Sequence, residues 1–333
     1  MTELIFPAIV SCLVAFFVVF VMTPPLIKFL EKRNLTVKDV NKKEGVMVAR
    51  PGGLSIIVGI VASEIVLYAF LQLNEILAII ITTSIAFVIG LVDDIRKRRT
   101  RPWRPFKPIA LVLAVIPIIA LGAYDSDLAF PLFGTVQIPI LYLALIVFMI
   151  PITGNTINSI DVLNGVASGF MVIASFSLSI CLFIVQNYEI AIVSLPLGFV
   201  SLAFYKYHKI PSKIFPGDSG VLTLGAMYGA IAIVGGVEII AAVALLPTII
   251  NSFLFLSSVK RKGTKLSMGI PVTHTDDYRL KATNDKTAPV TLVRLILAGG
   301  PLSEKQVGSA ILKLGIFSGI LAIITAFMMG VSL

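Results

Sequence analysis

Long apolar runs broken by short polar segments recur from one end of this chain to the other, and few folds accept them. A helix of ~20 apolar residues crosses the hydrocarbon of a bilayer, where every backbone polar group must be satisfied within the segment. The pattern predicts ten membrane helices, at approximately 4–27, 54–73, 76–92, 108–124, 138–152, 166–185, 190–205, 221–234, 237–259 and 307–329. With 57% hydrophobic residues and a mean hydropathy of +0.98, a water-soluble globule is excluded. The expected fold is an all-α polytopic membrane protein, one integral-membrane domain over residues 1–333. The polar segments 28–53, 93–107, 153–165, 206–220 and 260–306 are its loops, none long enough for a separate soluble core. The first apolar run has basic residues after it and none before it, opposite to a signal peptide, so it is expected to be retained. Cys12 and Cys181 lie inside apolar runs and imply neither a disulfide framework nor a thiol metal site.

Ten spans put both termini on one side and alternate the loops. All 27 Lys and Arg residues then fall on a single face, with Lys305 and Lys313 counted at the start of the last span. The opposite loops hold acids only: Glu75, Asp125, Asp127, Glu189 and Glu238. By the positive-inside rule the basic face is cytoplasmic and the termini are outside. Basic residues clustered between spans make nucleic acid a poor partner for a net charge of +9. An outer segment, 127–139, reads as a small β-hairpin around Gly134. Glu64, inside the second span, is a functional candidate by position, with a hydrogen-bonded packing role weighed equally.

Five polar segments share the basic face. Asp93-Asp94 stands where an apolar run meets a basic one, a place for metal or phosphate chemistry as well as for simple pairing with Arg96 or Lys97. Thr153 to Gly165 is rich in amides; if helical, Asn158, Asp161 and Asn164 or Gly165 lie near one face. Its carboxylate and amide carbonyls suit a hard cation or a nucleobase edge. Phe215-Pro216-Gly217-Asp218-Ser219-Gly220 presents one carboxylate between glycines, with an N-cap as the plain alternative. Lys42 to Gly53 is a basic loop ending in a Gly pair, and Pro271 to Arg279 carries His274 among phosphate-binding candidates such as Arg279. His208, in a short basic turn, is expected at the surface.

In that order and spacing, Gly90-Leu91-Val92-Asp93-Asp94, Asn155-Thr156-Ile157-Asn158 through Asn164-Gly165, and Phe215 to Gly220 resemble the polyprenyl-phosphate N-acetylhexosamine-1-phosphate transferases. That family includes the phospho-MurNAc-pentapeptide translocase and the dolichyl-phosphate GlcNAc-1-phosphotransferase. The likeness covers nearly the whole chain. It implies transfer of a sugar-1-phosphate from a UDP-sugar to a polyprenyl or dolichyl phosphate, with release of UMP. The implied cofactor is Mg2+, with Mn2+ as its substitute. By motif position, Asp218 and Asn158 would hold the metal, Asp93 and Asp94 would be essential acids, and Lys107 would bind phosphate. Asn155, Asp161, His274 and Arg279 would contact substrate, Asn164 would meet the uracil, and Lys43 or Lys42 would be the basic residue of the first loop. A homodimer is the family expectation. Asn164-Gly165, where the translocase has an acid, and one histidine instead of a run of three resemble the archaeal and eukaryotic GlcNAc branch, with MurNAc-pentapeptide the alternative donor. An ion-coupled transporter predicts polar sites near the bilayer midplane instead of at one face.

Overall fold

The computed structural model describes residues 2–42, 45–96, 106–259, 261–262, 265–266 and 269–329. In chain order the elements are α1 (Thr2–Lys32), β1 (Thr36–Lys38), β2 (Met47–Ala49), α2 (Gly53–Leu71) and α3 (Asn74–Arg96). Then come α4 (Phe106–Leu111), a 3-10 turn (Val112–Val115), α5 (Ile116–Ala120), β3 (Asp127–Phe130), β4 (Gly134–Gln137) and α6 (Pro139–Ile160). The second half holds α7 (Val166–Ile184), α8 (Tyr188–His208), α9 (Gly217–Val234), α10 (Glu238–Ala244) and α11 (Leu246–Ser258). It closes with β5 (Arg261–Lys262), β6 (Lys265–Leu266), β7 (Val272–His274), β8 (Leu280–Ala282), α12 (Leu292–Ile296) and α13 (Glu304–Met329).

Among the described residues, eight helices are long and apolar enough to cross a membrane: α1, α2, α3, α6, α7, α8, α9 and α13. α10 and α11 qualify as a pair bent by 75°, and the apolar stretch Lys107–Ala120 is shorter than a full span. The chain is therefore a polytopic, mostly helical membrane protein. The predicted outer hairpin is present, with β3 antiparallel to β4 from Asp127↔Gln137 to Phe130↔Gly134. Three further two-stranded pairings, β1–β2, β5–β6 and β7–β8, lie in segments read from sequence only as polar loops. Their three- and two-residue strands are too short to leave an alternation that can be counted.

Hydropathy sorts the helices by what surrounds them. α1 has a mean hydropathy of 2.9 and is 28% buried, whereas α9 has the lowest value, 1.4, and is 94% buried. α1 leaves Phe6, Leu13 and Phe17 exposed to lipid. α9 is enclosed by α2, α3, α6, α7 and α8. Its small residues let those backbones approach: a Cβ at Gly225 would lie 2.6 Å from the Thr153 carbonyl oxygen. Close small-residue contact is how helices associate where lipid removes the hydrophobic incentive.

Glu64, in α2, is fully buried, and neither carboxylate oxygen has a hydrogen-bond partner among the described residues. That overturns the hydrogen-bonded packing role. An unsatisfied buried polar group costs roughly 1–3 kcal/mol. Glu64→Met should therefore raise the thermal midpoint in detergent, by a stabilisation of about that size, and leave turnover unchanged. A lower midpoint would show that the carboxyl has a structural partner after all.

Candidate active site

The site forms where α9 begins. Gly217 has φ +71°, a conformation that suits glycine, and a Cβ there would sit 2.7 Å from Asp94 Oδ2. Backbone pairing holds the approach: Phe215 N donates to Ala49 O (2.9 Å) and Gly52 N donates to Phe215 O (2.8 Å). Gly53 of α2 and Gly90 of α3 clamp the first turn. A Cβ at Gly90 would lie 2.6 Å from Asp218 O, and one at Gly53 2.6 Å from Gly220 N. The glycines of three separate motifs thus serve one close backbone junction.

The first N–H groups of a helix need acceptors, and here a neighbouring helix supplies them. Asp94, at the end of α3, accepts from Asp218 N (3.0 Å), Ser219 N (2.9 Å) and Ser219 Oγ (2.8 Å). Its charge also meets the positive end of the α9 dipole. The N-cap position itself is Pro216, with no side-chain cap, and Asp218 points elsewhere. Arg50, just before the Pro-Gly-Gly turn, places Nη2 3.2 Å from Asp94 Oδ1 and 3.6 Å from Asp218 Oδ1.

Lys107, at the start of α4, is 8% exposed. Its Nζ lies 3.0 Å from Asp218 Oδ2 and 3.6 Å from Asp93 Oδ2. Asn158 completes the cradle from α6. With its nitrogen turned to Asp218 it donates to Oδ1 at 3.3 Å and its oxygen accepts from Lys107 Nζ at 2.9 Å. The reverse orientation would set oxygen against carboxylate and nitrogen against ammonium. Oxygens of Asp93, Asp218 and Asn158 therefore surround one cation, the lysine ammonium. An all-oxygen set of this kind fits a hard divalent ion such as Mg2+, which needs only one or two protein carboxylates beside its waters and phosphates.

The structure thus brings together Asp93, Asp94, Lys107, Asn158 and Asp218, and adds Arg50. Nothing in the sequence separates Arg50 from the other basic residues of its loop, so only the fold reveals it. The remaining predicted residues are placed elsewhere. α6 ends at Ile160, with Asp161 at its C-cap, so the chain turns before Asn164 and the single helical face predicted for Asn158, Asp161 and Asn164 does not exist. Asn155 donates its side-chain amide to Pro151 O within α6 (2.8 Å). Asp161 Oδ1 lies 3.7 Å from His208 Nε2. His208 is 1% exposed, which corrects its surface assignment: it is the last residue of α8 and its ring meets Ser168 of α7, 2.9 Å away. His274 and Arg279 sit on the exposed β7–β8 hairpin, where Arg279 pairs with Asp277 (3.0 Å). His274 also borders a cavity of about 200 Å3 walled by Val40, Leu163, Asn251 and Leu292. Lys43 lies outside the described residues, and Lys42 Nζ is 2.6 Å from Glu304 Oε2.

A buried cluster of acids and bases at one end of an apolar bundle defines a membrane enzyme that handles phosphate or a metal ion. Residues 76–236, which include Asp93, Asp94, Lys107, Asn158 and Asp218, match the family model described as glycosyl transferase family 4. Several relatives carry more specific names. A Saccharolobus solfataricus protein, provisionally named UDP-N-acetylglucosamine–dolichyl-phosphate N-acetylglucosaminephosphotransferase, is 28% identical over 73% of this chain and 76% of its own length. A Sulfolobus acidocaldarius protein with the same provisional name is 27% identical over 95% of both chains. The phospho-N-acetylmuramoyl-pentapeptide-transferase of Clostridium novyi is 27% identical over 80% of this chain and 87% of its own length.

Proposed function

We propose that this enzyme transfers HexNAc-1-phosphate, most simply GlcNAc-1-phosphate, from a UDP-sugar to a polyprenyl or dolichyl phosphate, releasing UMP. The observation that carries the reading is the cradle of Asp93, Asp218 and Asn158 around Lys107, with Arg50 beside it. Phosphoryl transfer needs charge neutralisation and positioning more than covalent machinery, and this cradle offers both. The archaeal relatives support the GlcNAc donor by their names, as does the single His274.

Asp218 and Asn158 would hold Mg2+, which would supply neutralisation of charge on the donor pyrophosphate. Lys107 and Arg50 hold phosphate oxygens and orient the two substrates in line. Asp94 fixes the first turn of α9 and so the position of Asp218. Asp93, beside Lys107, keeps the ammonium directed into the site. Asn164 meets the uracil, and His274 and Arg279 of the β7–β8 hairpin reach the donor when it binds, whereas Asn155 and Asp161 are engaged within the fold. The acceptor's isoprenoid stays in apolar surroundings while its phosphate reaches the interface. In the membrane we read ten spans, the bent pair α10–α11 and the short stretch Lys107–Ala120 included, with termini outside and the site facing the cytoplasm.

The test uses purified protein, a short polyprenyl phosphate, Mg2+ and UDP-GlcNAc, following UMP together with lipid-linked product. Turnover should fall at least about 100-fold on EDTA treatment and return with Mg2+. Turnover with UDP-MurNAc-pentapeptide alone would keep the reaction and change the donor. Silence with every UDP-sugar, from folded protein, would overturn the reading.

A further inference from the structure

The turn after α6 holds a second buried polar cluster, for which the reaction above needs only one atom. Asp39, Asn164 and Glu304 are 3, 5 and 8% exposed. Asn164 donates its side-chain nitrogen to Asp39 Oδ2 (2.8 Å) and its backbone N–H to Glu304 Oε1 (2.9 Å). The other Asp39 oxygen accepts from Asn41 N (3.0 Å). Two buried carboxylates therefore bracket one asparagine, tying the first loop and α13 to the turn after α6.

A carboxylate can only accept, so Asn164 can meet Asp39 only through its nitrogen. Its oxygen is thereby turned away. That oxygen takes no hydrogen bond from any described residue and is not sealed from solvent. Val40 and Leu163, the neighbours of the pair along the chain, line the cavity of about 200 Å3.

We infer that Asp39 is a positioning residue that sets the base specificity of the donor: it locks Asn164 as a one-way acceptor for a ring N–H. The inference rests on the UDP-sugar reading. Uracil carries an imide N–H to give to that oxygen. Cytosine presents a bare ring nitrogen at the same place, leaving two acceptors opposed, the kind of mismatch a polar site rejects strongly. A carboxamide free to turn would accept either base. The same geometry disfavours an acid at position 164, since it would set two carboxylates 2.8 Å apart.

The experiment is calorimetric binding of UDP and of CDP, with Mg2+, to the full-length protein and to D39N, N164D and the double variant D39N/N164D. Wild type should prefer UDP. D39N is isosteric with the native residue and should lose about tenfold of that preference, because a carboxamide at position 39 can also donate and so frees the Asn164 amide to turn. N164D should bind UDP at least about tenfold more weakly. Adding D39N should recover most of that loss, since the carboxamide at position 39 then donates to the new carboxylate and leaves the acceptor in place. An unchanged UDP-to-CDP ratio in D39N, or no recovery in the double variant, overturns the role of Asp39 and leaves the transferase reading intact. A wild-type protein that binds neither nucleotide overturns both. Thermal unfolding of each variant separates loss of binding from loss of fold, and D39N should melt within a few degrees of wild type.

Discussion

Asp218→Asn is expected to lower kcat by about three orders of magnitude while the protein stays folded. The two parts of that result have separate causes. Asp218 is 2% exposed, with Lys107 Nζ 3.0 Å from one oxygen and Arg50 Nη2 3.6 Å from the other. Asparagine keeps the shape but removes the charge that Lys107 and Arg50 face. A preorganised charge in a water-poor site is worth far more than the same charge in water, so its loss falls on the transition state. The fold survives because the first turn of α9 does not hang from this side chain: the backbone N–H groups of Asp218 and Ser219 go to Asp94. The check is kcat at saturating donor and acceptor beside a melting curve. Activity within tenfold of wild type would remove Asp218 from the catalytic centre.

Asp94→Ala should fail differently, losing fold and turnover together. The Asp94 carboxylate accepts two backbone N–H groups and the Ser219 hydroxyl, and pairs with Arg50. Its side chain is only 3% exposed, so water cannot take its place. Removing it strands those donors, at a cost of roughly 3–5 kcal/mol, the usual penalty for breaking a buried ion pair. Asp94→Asn keeps one acceptor oxygen and should cost less, about 1–3 kcal/mol. The order of melting points in detergent, wild type above D94N above D94A, is the signature of a helix start held by a neighbouring helix. A D94A protein that melts with wild type would mean that α9 starts without that acceptor.

The two adjacent carboxylates thus have distinct duties, and the sequence could only say that neighbours on one turn point apart. Which one caps α9 and which one faces Lys107 follows from how α3 is rotated against α9, and that rotation is set at Gly90, where a side chain would collide with Asp218. His208 shows the same limit from the other side. Its neighbours read as a basic surface turn, yet α8 extends as far as His208 and buries the ring against α7. The amide-rich stretch was legible as a polar segment between two apolar runs, but the end of its helix was not: the chain leaves the α conformation at the C-cap Asp161, φ −78° and ψ 53°, and Asn164 meets Asp39.

Several properties were determined by the sequence alone. Apolar runs near the thickness of a bilayer dictate membrane helices, since lipid tolerates no unsatisfied backbone. Lysines and arginines cluster in the segments between those runs, which supplies an expectation of how the helices are oriented. Acids and amides at that face name the chemistry, because they are expensive near lipid and are kept where they act. Only the tertiary structure decided which of these groups meet. Asp93, Lys107, Asn158 and Asp218 come from four elements, and Arg50 from a loop with no distinguishing mark. Hydropathy along a chain is a one-dimensional record of solvent, whereas hydrogen bonds between helices depend on rotation and depth, which close packing of small residues fixes only after the helices have assembled.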